Sequence, residues 1–177
     1  MTDQQIFIPE SGMEFGPYHE DQCFYIEKSQ LYKSIKTGVQ MAEFLFLKND
    51  PSSRLLILDV VEAKSSSPQP GGQEKFDDFI RQIRDKFVNA FSLCWATCLE
   101  RHPKFHRELP KRIREMDLSQ VRVRFVLVIK GHRDDWLSPI HDELNKTMRP
   151  TLKTWGFSHD AVIVFNDEMA RQFQYIV

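Results

Sequence analysis

The sequence predicts an α/β protein in which a mixed sheet is covered by helices, in one domain spanning residues 1–177. Three observations carry the prediction. Residues 54–64, RLLILDVVEAK, are apolar on both alternating rows until they reach Glu62 and Lys64, the pattern of a central strand covered on both faces. Phe76, Ile80, Ile83, Phe87, Phe91 and Cys94 recur at steps of four, three, four, four and three, which predicts a long amphipathic helix. The elements around these two run in the order β-meander, long helix, strand, helix, strand.

Taken from the start, residues 1–21 hold a short apolar stretch at Ile6 to Ile8 and carry no functional signal. The segment from Cys23 reads as a strand entering a short helix, with Glu27 near the junction, and Lys36-Thr37-Gly38 as a turn. Residues 39–48, VQMAEFLFLK, are aromatic and branched and read as a strand that forms a hairpin with the segment from Arg54, through a turn over residues 49–53. SSSPQPGG reads as a loop before the long helix, which His102-Pro103 should end. The polar side of that helix, including Lys75, Arg81, Gln82 and Lys86, reads as solvated surface. Residues 120–130, QVRVRFVLVIK, alternate as a strand whose first half has one wet face. Ser138-Pro139 reads as an N-cap and first helical residue, with the helix ending near Pro150 or Gly156. A buried strand at residues 161–165 and a short terminal helix capped by Asn166 complete the chain.

Composition narrows the classes. With 41% hydrophobic and 28% charged residues, the chain has enough apolar material for a sizeable core and is not disordered. The start lacks the basic region and long apolar run of a signal peptide, and no segment approaches the roughly 20 apolar residues of a membrane span, so a cytoplasmic protein is expected. Cys23, Cys94 and Cys98 are an odd number, and the last two stand at helical spacing, so reduced thiols are expected. A net charge of −1 gives no global electrostatic case for nucleic acid. Residues 101–114 supply a local basic run, read first as a solvated connection. His102 and His106 stand four apart, but Pro103 between them argues against one helix presenting both to a metal. No P-loop, dinucleotide, GxSxG or HExxH motif occurs.

Two acidic residues are anomalous. Glu43 lies inside an apolar strand, which is costly unless it is paired, hydrogen-bonded or bound to a cation. Glu62 and Lys64 end the central strand on one face, with Asp59 on the other. The hairpin register decides whether the carboxylates cooperate. A loop of even length, such as residues 51–54 with Asp50 opposite Leu55, puts Glu43 opposite Glu62, whereas an odd loop puts it opposite Asp59. A structural ion pair between Glu62 and Lys64 is the competing reading.

Glu43 in AEFLFLK, then Glu62-Ala63-Lys64 at the end of the next strand, then a long helix, resembles the PD-(D/E)XK nuclease superfamily. The similarity extends in phrasing to its small stand-alone bacterial members and covers residues 22–130. The resemblance implies a restriction-endonuclease-like core and a Mg²⁺- or Mn²⁺-dependent nuclease acting on DNA ahead of RNA. Glu43 and Glu62 would be metal ligands and Lys64 the group that orients or activates water, all three catalytic, with Glu27 supplying the further acid of an N-terminal helix. The first motif lacks a Pro-Asp, Glu43 standing in for the aspartate. The expected partner is nucleic acid and not a membrane, a homodimer being left open, and the alternative is an inactive member of the same fold that binds nucleic acid or protein.

Overall fold

The computed structural model describes residues 4–69 and 72–177, so the chain start and the middle of the SSSPQPGG loop, residues 70–71, lie outside the described residues. An N-terminal hairpin, β1 (Gln5–Glu10) and β2 (Met13–His19), stands apart as a two-stranded sheet. Next come β3 (Cys23–Phe24), a 3-10 turn (Ile26–Lys28) and α1 (Gln30–Ile35), then β4 (Phe44–Asn49) and β5 (Leu56–Lys64). The long helix α2 (Gln73–Cys98) and the short α3 (Lys111–Arg114) precede β6 (Val121–Ile129), α4 (Asp134–Trp155), β7 (Val162–Asn166) and α5 (Asp167–Gln172). The main sheet has the order β3-β4-β5-β6-β7, antiparallel through the meander and parallel from β5 to β7. The fold is thus mixed α/β, and no helix among the described residues is long and apolar enough to cross a membrane.

β5 is the middle strand, and each of its rows feeds a different core. Leu58 and Val60 pack with Phe125 and Leu127 of β6 against Ile83, Phe87 and Phe91 of α2 and Leu144 of α4. Each such side chain contributes about 1.5–3 kcal/mol on burial. Val61 and Ala63 face the other way, into a second core with Phe15 and Tyr18 of the hairpin and Tyr175 after α5. The long helices α2 and α4 therefore cover one face only. The other is covered largely by residues 4–19, together with α5 and the chain end; residues 4–19 carry no functional signal in sequence, because a hairpin with a bulge between Ile6 and Ile8 breaks the alternation that would announce it.

Three boundaries differ from expectation. The strand predicted over residues 39–48 pairs only from Phe44, because just before it the Glu43 carbonyl accepts from Glu27 N (3.2 Å), in the 3-10 turn rather than in a strand. α2 stops at Cys98, ahead of His102-Pro103, where His106 Nδ1 meets the Thr97 carbonyl at 2.9 Å. That histidine serves a helix end. α4 begins at Asp134 rather than after Ser138, with Asp134 and Asp135 in its first turn favoured by the helix dipole, and Pro139 and Pro150 both lie inside it. Gly156, at φ 67°, ends it. Asn166 caps α5 as predicted, its side chain accepting from Met169 N. All three cysteines are free thiols.

Candidate metal centre

The hairpin loop has even length. Asp50 N donates to Leu55 O at 3.0 Å, and the pairing from Asn49 with Leu56 to Phe44 with Val61 continues to Glu43 opposite Glu62. Asp50 fixes this loop by accepting from the Ser52 hydroxyl (2.7 Å) and amide (2.9 Å) and from Ser53 (2.8 Å). Those contacts hold its carboxyl well below the usual range.

Glu43 and Glu62 share the face that looks toward α2, and both are buried, at 5% and 0% exposure. Each keeps one oxygen, Oε2, without a hydrogen-bond partner. A buried carboxylate oxygen left unpaired is costly. On the other side of Glu62, Oε1 lies 2.7 Å from Lys64 Nζ and 2.7 Å from Lys86 Nζ, and Lys86 is 3.9 Å from Glu43 Oε1. Glu27 reaches the cluster from the 3-10 turn, its amide tied to the Glu43 carbonyl. The structure therefore brings together all the sequence-predicted residues, Glu27, Glu43, Glu62 and Lys64.

Lys86 is the correction. Read as solvated surface, it is only 18% exposed at its side chain and caps Glu62. The sequence held the signal, since Phe79, Ile83, Lys86, Ala90 and Leu93 form one helical row at steps of four, three, four and three in which Lys86 is the lone charge. Its ammonium reaches the sheet, where it donates to Glu62 Oε1 at 2.7 Å. A second missed residue is Glu10, brought in by the hairpin.

The charges shift one another. Burial first, then Glu62 and Glu27, push the Glu43 carboxyl up to about 8 against the pull of Lys86. Burial likewise raises Glu62, opposed by Lys86 and Lys64. Burial also works against ionised Glu27, but its contacts with Lys28 and Glu43 outweigh it and lower its carboxyl. Near neutral pH the metal-free cluster thus keeps a proton on Glu43.

A pH dependence follows. With Glu43 at about 8 in the fold against an ordinary 4.5, the folded chain binds more protons than the unfolded one between those values. Stability without metal should therefore fall as pH rises from about 4.5 to about 8. A divalent cation, which binds the ionised form, should stabilise progressively more across the same window. Urea melts in chelator and in Mg²⁺ check this, and a chelator curve flat over the window would mean that Lys86 already holds Glu43 ionised.

The second charge cluster on β5 differs in kind. On the opposite face, Asp59 takes both Arg124 nitrogens at 2.7 and 2.9 Å, Lys48 at 3.1 Å and the Tyr175 hydroxyl at 2.7 Å. Both its oxygens are satisfied. Two hollows, of about 380 Å³ around Arg122 and Asp160 and about 460 Å³ around Tyr18 and Lys48, lie away from Glu43 and Glu62. The first sits at the opposite end of β5, around Ile57, roughly 16 Å from Glu62 at about 3.3 Å per residue. Chemistry weighs more than size here, since both oxygens of Asp50 at the first hollow have hydrogen-bond donors, whereas Glu43 and Glu62 each keep one oxygen without a partner. The basic run also lies at that far end, where Arg112 donates to Asn49 (3.1 Å).

Oxygen donors with unpaired buried lone pairs are of the kind that suits a hard divalent cation such as Mg²⁺; Glu43 and Glu62 each offer one, and one carboxylate oxygen from each of Glu10, Glu27 and Glu43 lies within 4.8 Å of the others, so that these residues could hold such an ion. Comparisons with protein-family models, with curated proteins and with solved structures give no match.

Proposed function

We propose that the chain is a Mg²⁺-dependent nuclease with a restriction-endonuclease-like core, hydrolysing phosphodiester bonds in DNA ahead of RNA. The observation that carries this reading is the pair of buried, unpaired Oε2 atoms on Glu43 and Glu62, at the end of the central strand with Lys64 beside them. A bound Mg²⁺ would supply a Lewis acid that acidifies water and offsets charge growing on the phosphate. The chain's own residues do the rest. Glu43 and Glu62 fix the cation's position, and Glu43 releases its proton to do so. Lys64, 28% exposed at its side chain, extends from the buried carboxylate toward solvent, where it can orient the attacking water and meet the phosphate. Lys86 holds Glu62 from behind.

One observation favours a second reading, an inactive member of the same fold that binds nucleic acid or a protein. Two lysines already neutralise Glu62 Oε1, as a closed structural cluster would. The test is cleavage of single- and double-stranded DNA and RNA with Mg²⁺ or Mn²⁺, beside Glu62→Gln. Glutamine keeps the side-chain volume, whereas alanine would leave Lys64 and Lys86 facing a void. Cation-dependent cleavage that disappears in the variant supports the nuclease. A folded wild-type chain inert on all four substrates hands the site to the second reading.

A further inference from the structure

We infer that the chain entering α4 presents His132 and Trp136 as a stacking platform for an unpaired base at the rim of the carboxylate site, so that the preferred substrate is single-stranded DNA. The inference rests on the nuclease reading for the chemistry and adds the form of the substrate.

The strands bring the platform to the site. β5 and β6 run in parallel to a last pair, Lys64 with Ile129, closed by Lys130 N donating to the Lys64 carbonyl (2.9 Å). Three residues beyond each strand end the two loops meet again, with Ser67 Oγ 3.3 Å from His132 Nε2. Three residues reach at most about 11 Å, so Ser67 and the ring it touches stay beside Lys64. Asn166 Nδ2, at the end of β7, donates to the His132 carbonyl (3.1 Å) and fixes the loop from the other side. Leu137 and Ile140, the next buried residues of α4, pack in the core that holds α2, which places the platform on the face toward which Glu43 and Glu62 look.

Trp136 is half-buried yet belongs to neither apolar core, unlike Trp95 and Phe157. Its ring neighbours are His132, edge to face at 5.5 Å, and the Arg133 guanidinium at 5.6 Å. Burial lowers the His132 pKa, which keeps that ring uncharged near neutral pH. Charge decides which form of DNA suits the turn. Residues 132–136, HRDDW, carry two carboxylates against one guanidinium, and Asp135 already takes Arg133 at 3.0 and 3.1 Å. A duplex backbone, which needs free cations, gains little there. Base faces stack on aromatic rings without regard to such charge, and only an unpaired strand offers them.

The test is binding of a short 2-aminopurine-labelled DNA, single-stranded or as a blunt duplex, to the full chain carrying Glu62→Gln so that no product forms, beside Mg²⁺-dependent cleavage of both by wild type. Single-stranded DNA should bind more tightly than the duplex and change the probe's fluorescence. Adding Trp136→Ala should weaken that binding by about 5- to 150-fold, the usual loss for one stacked base, with a urea melt like its parent's, and Trp136→Phe should restore most of it. His132→Ala reads the same platform from its other ring should Trp136→Ala fail to fold. Tighter binding of the duplex, or single-strand binding unchanged in the alanine variants, would overturn the inference, and cleavage retained alongside would leave the nuclease reading intact. Unfolding of both alanine variants would make the two rings a structural clamp and overturn it as well. Ring-dependent single-strand binding by a wild-type chain that cleaves nothing would uphold the platform and remove the nuclease.

Discussion

Lys64→Met is expected to cut Mg²⁺-dependent cleavage by about 10²- to 10⁴-fold, the usual range for losing a group that handles a proton or orients water, while the fold persists. The fold should persist because Glu62 Oε1 has two cationic partners at the same 2.7 Å, and Lys86 remains when Lys64 is gone. Methionine also keeps an unbranched apolar stem of similar length. Cation affinity should change little, since the ligands are Glu43 and Glu62 and removing one ammonium relieves competition for their oxygens. Single-turnover cleavage at saturating Mg²⁺, read beside a urea melt, separates the contributions. A variant that cleaves like wild type but melts several kcal/mol earlier would assign Lys64 to holding Glu62, which is the ion-pair reading that the sequence also allowed.

Strand β5 was readable because its two apolar rows and its terminal Glu62 and Lys64 are local, and period two needs no partner to be seen. The parity of the hairpin loop was readable only as a choice, and Asp50 makes it, through side-chain bonds to Ser52 and Ser53 that close an even loop. Lys86 and Glu10 were not identified as site residues for a different reason. Each is ordinary within its own element and becomes part of the cluster only through packing across the chain, Lys86 onto the sheet and Glu10 by way of Ser11 on Ala63. Ser138-Pro139 misled because a helix start was assigned from cap chemistry, whereas Asp134 and Asp135 begin the helix one turn earlier without a side-chain cap. Exposed loop residues held little signal of either kind.

Arg124→Met should destabilise the protein by about 3–5 kcal/mol and leave the cation site untouched. The two effects separate because Asp59, Arg124's partner, alternates with Glu62's row on β5 and faces the hairpin side of the sheet. Asp59 is fully buried, and Arg124 binds both its oxygens in a fork whose second nitrogen also reaches the Tyr175 hydroxyl at 2.7 Å. Replacing the guanidinium with a thioether leaves a buried carboxylate holding only Lys48 and Tyr175, and removes one of the partners of a tyrosine hydroxyl that burial has already pushed far from ionising. The chain end would loosen with it, since Tyr175 O accepts from both Gly16 N and the Tyr18 hydroxyl and so ties the last residues to the hairpin. Urea denaturation gives the loss and Mn²⁺ calorimetry the site. A loss below about 1 kcal/mol would show that Lys48 and Tyr175 suffice for Asp59, in the range of an exposed pair. A loss of Mn²⁺ binding at full folding would show that the two faces of β5 are coupled, and that the sheet end bearing Glu43 and Glu62 depends on the lock beneath it.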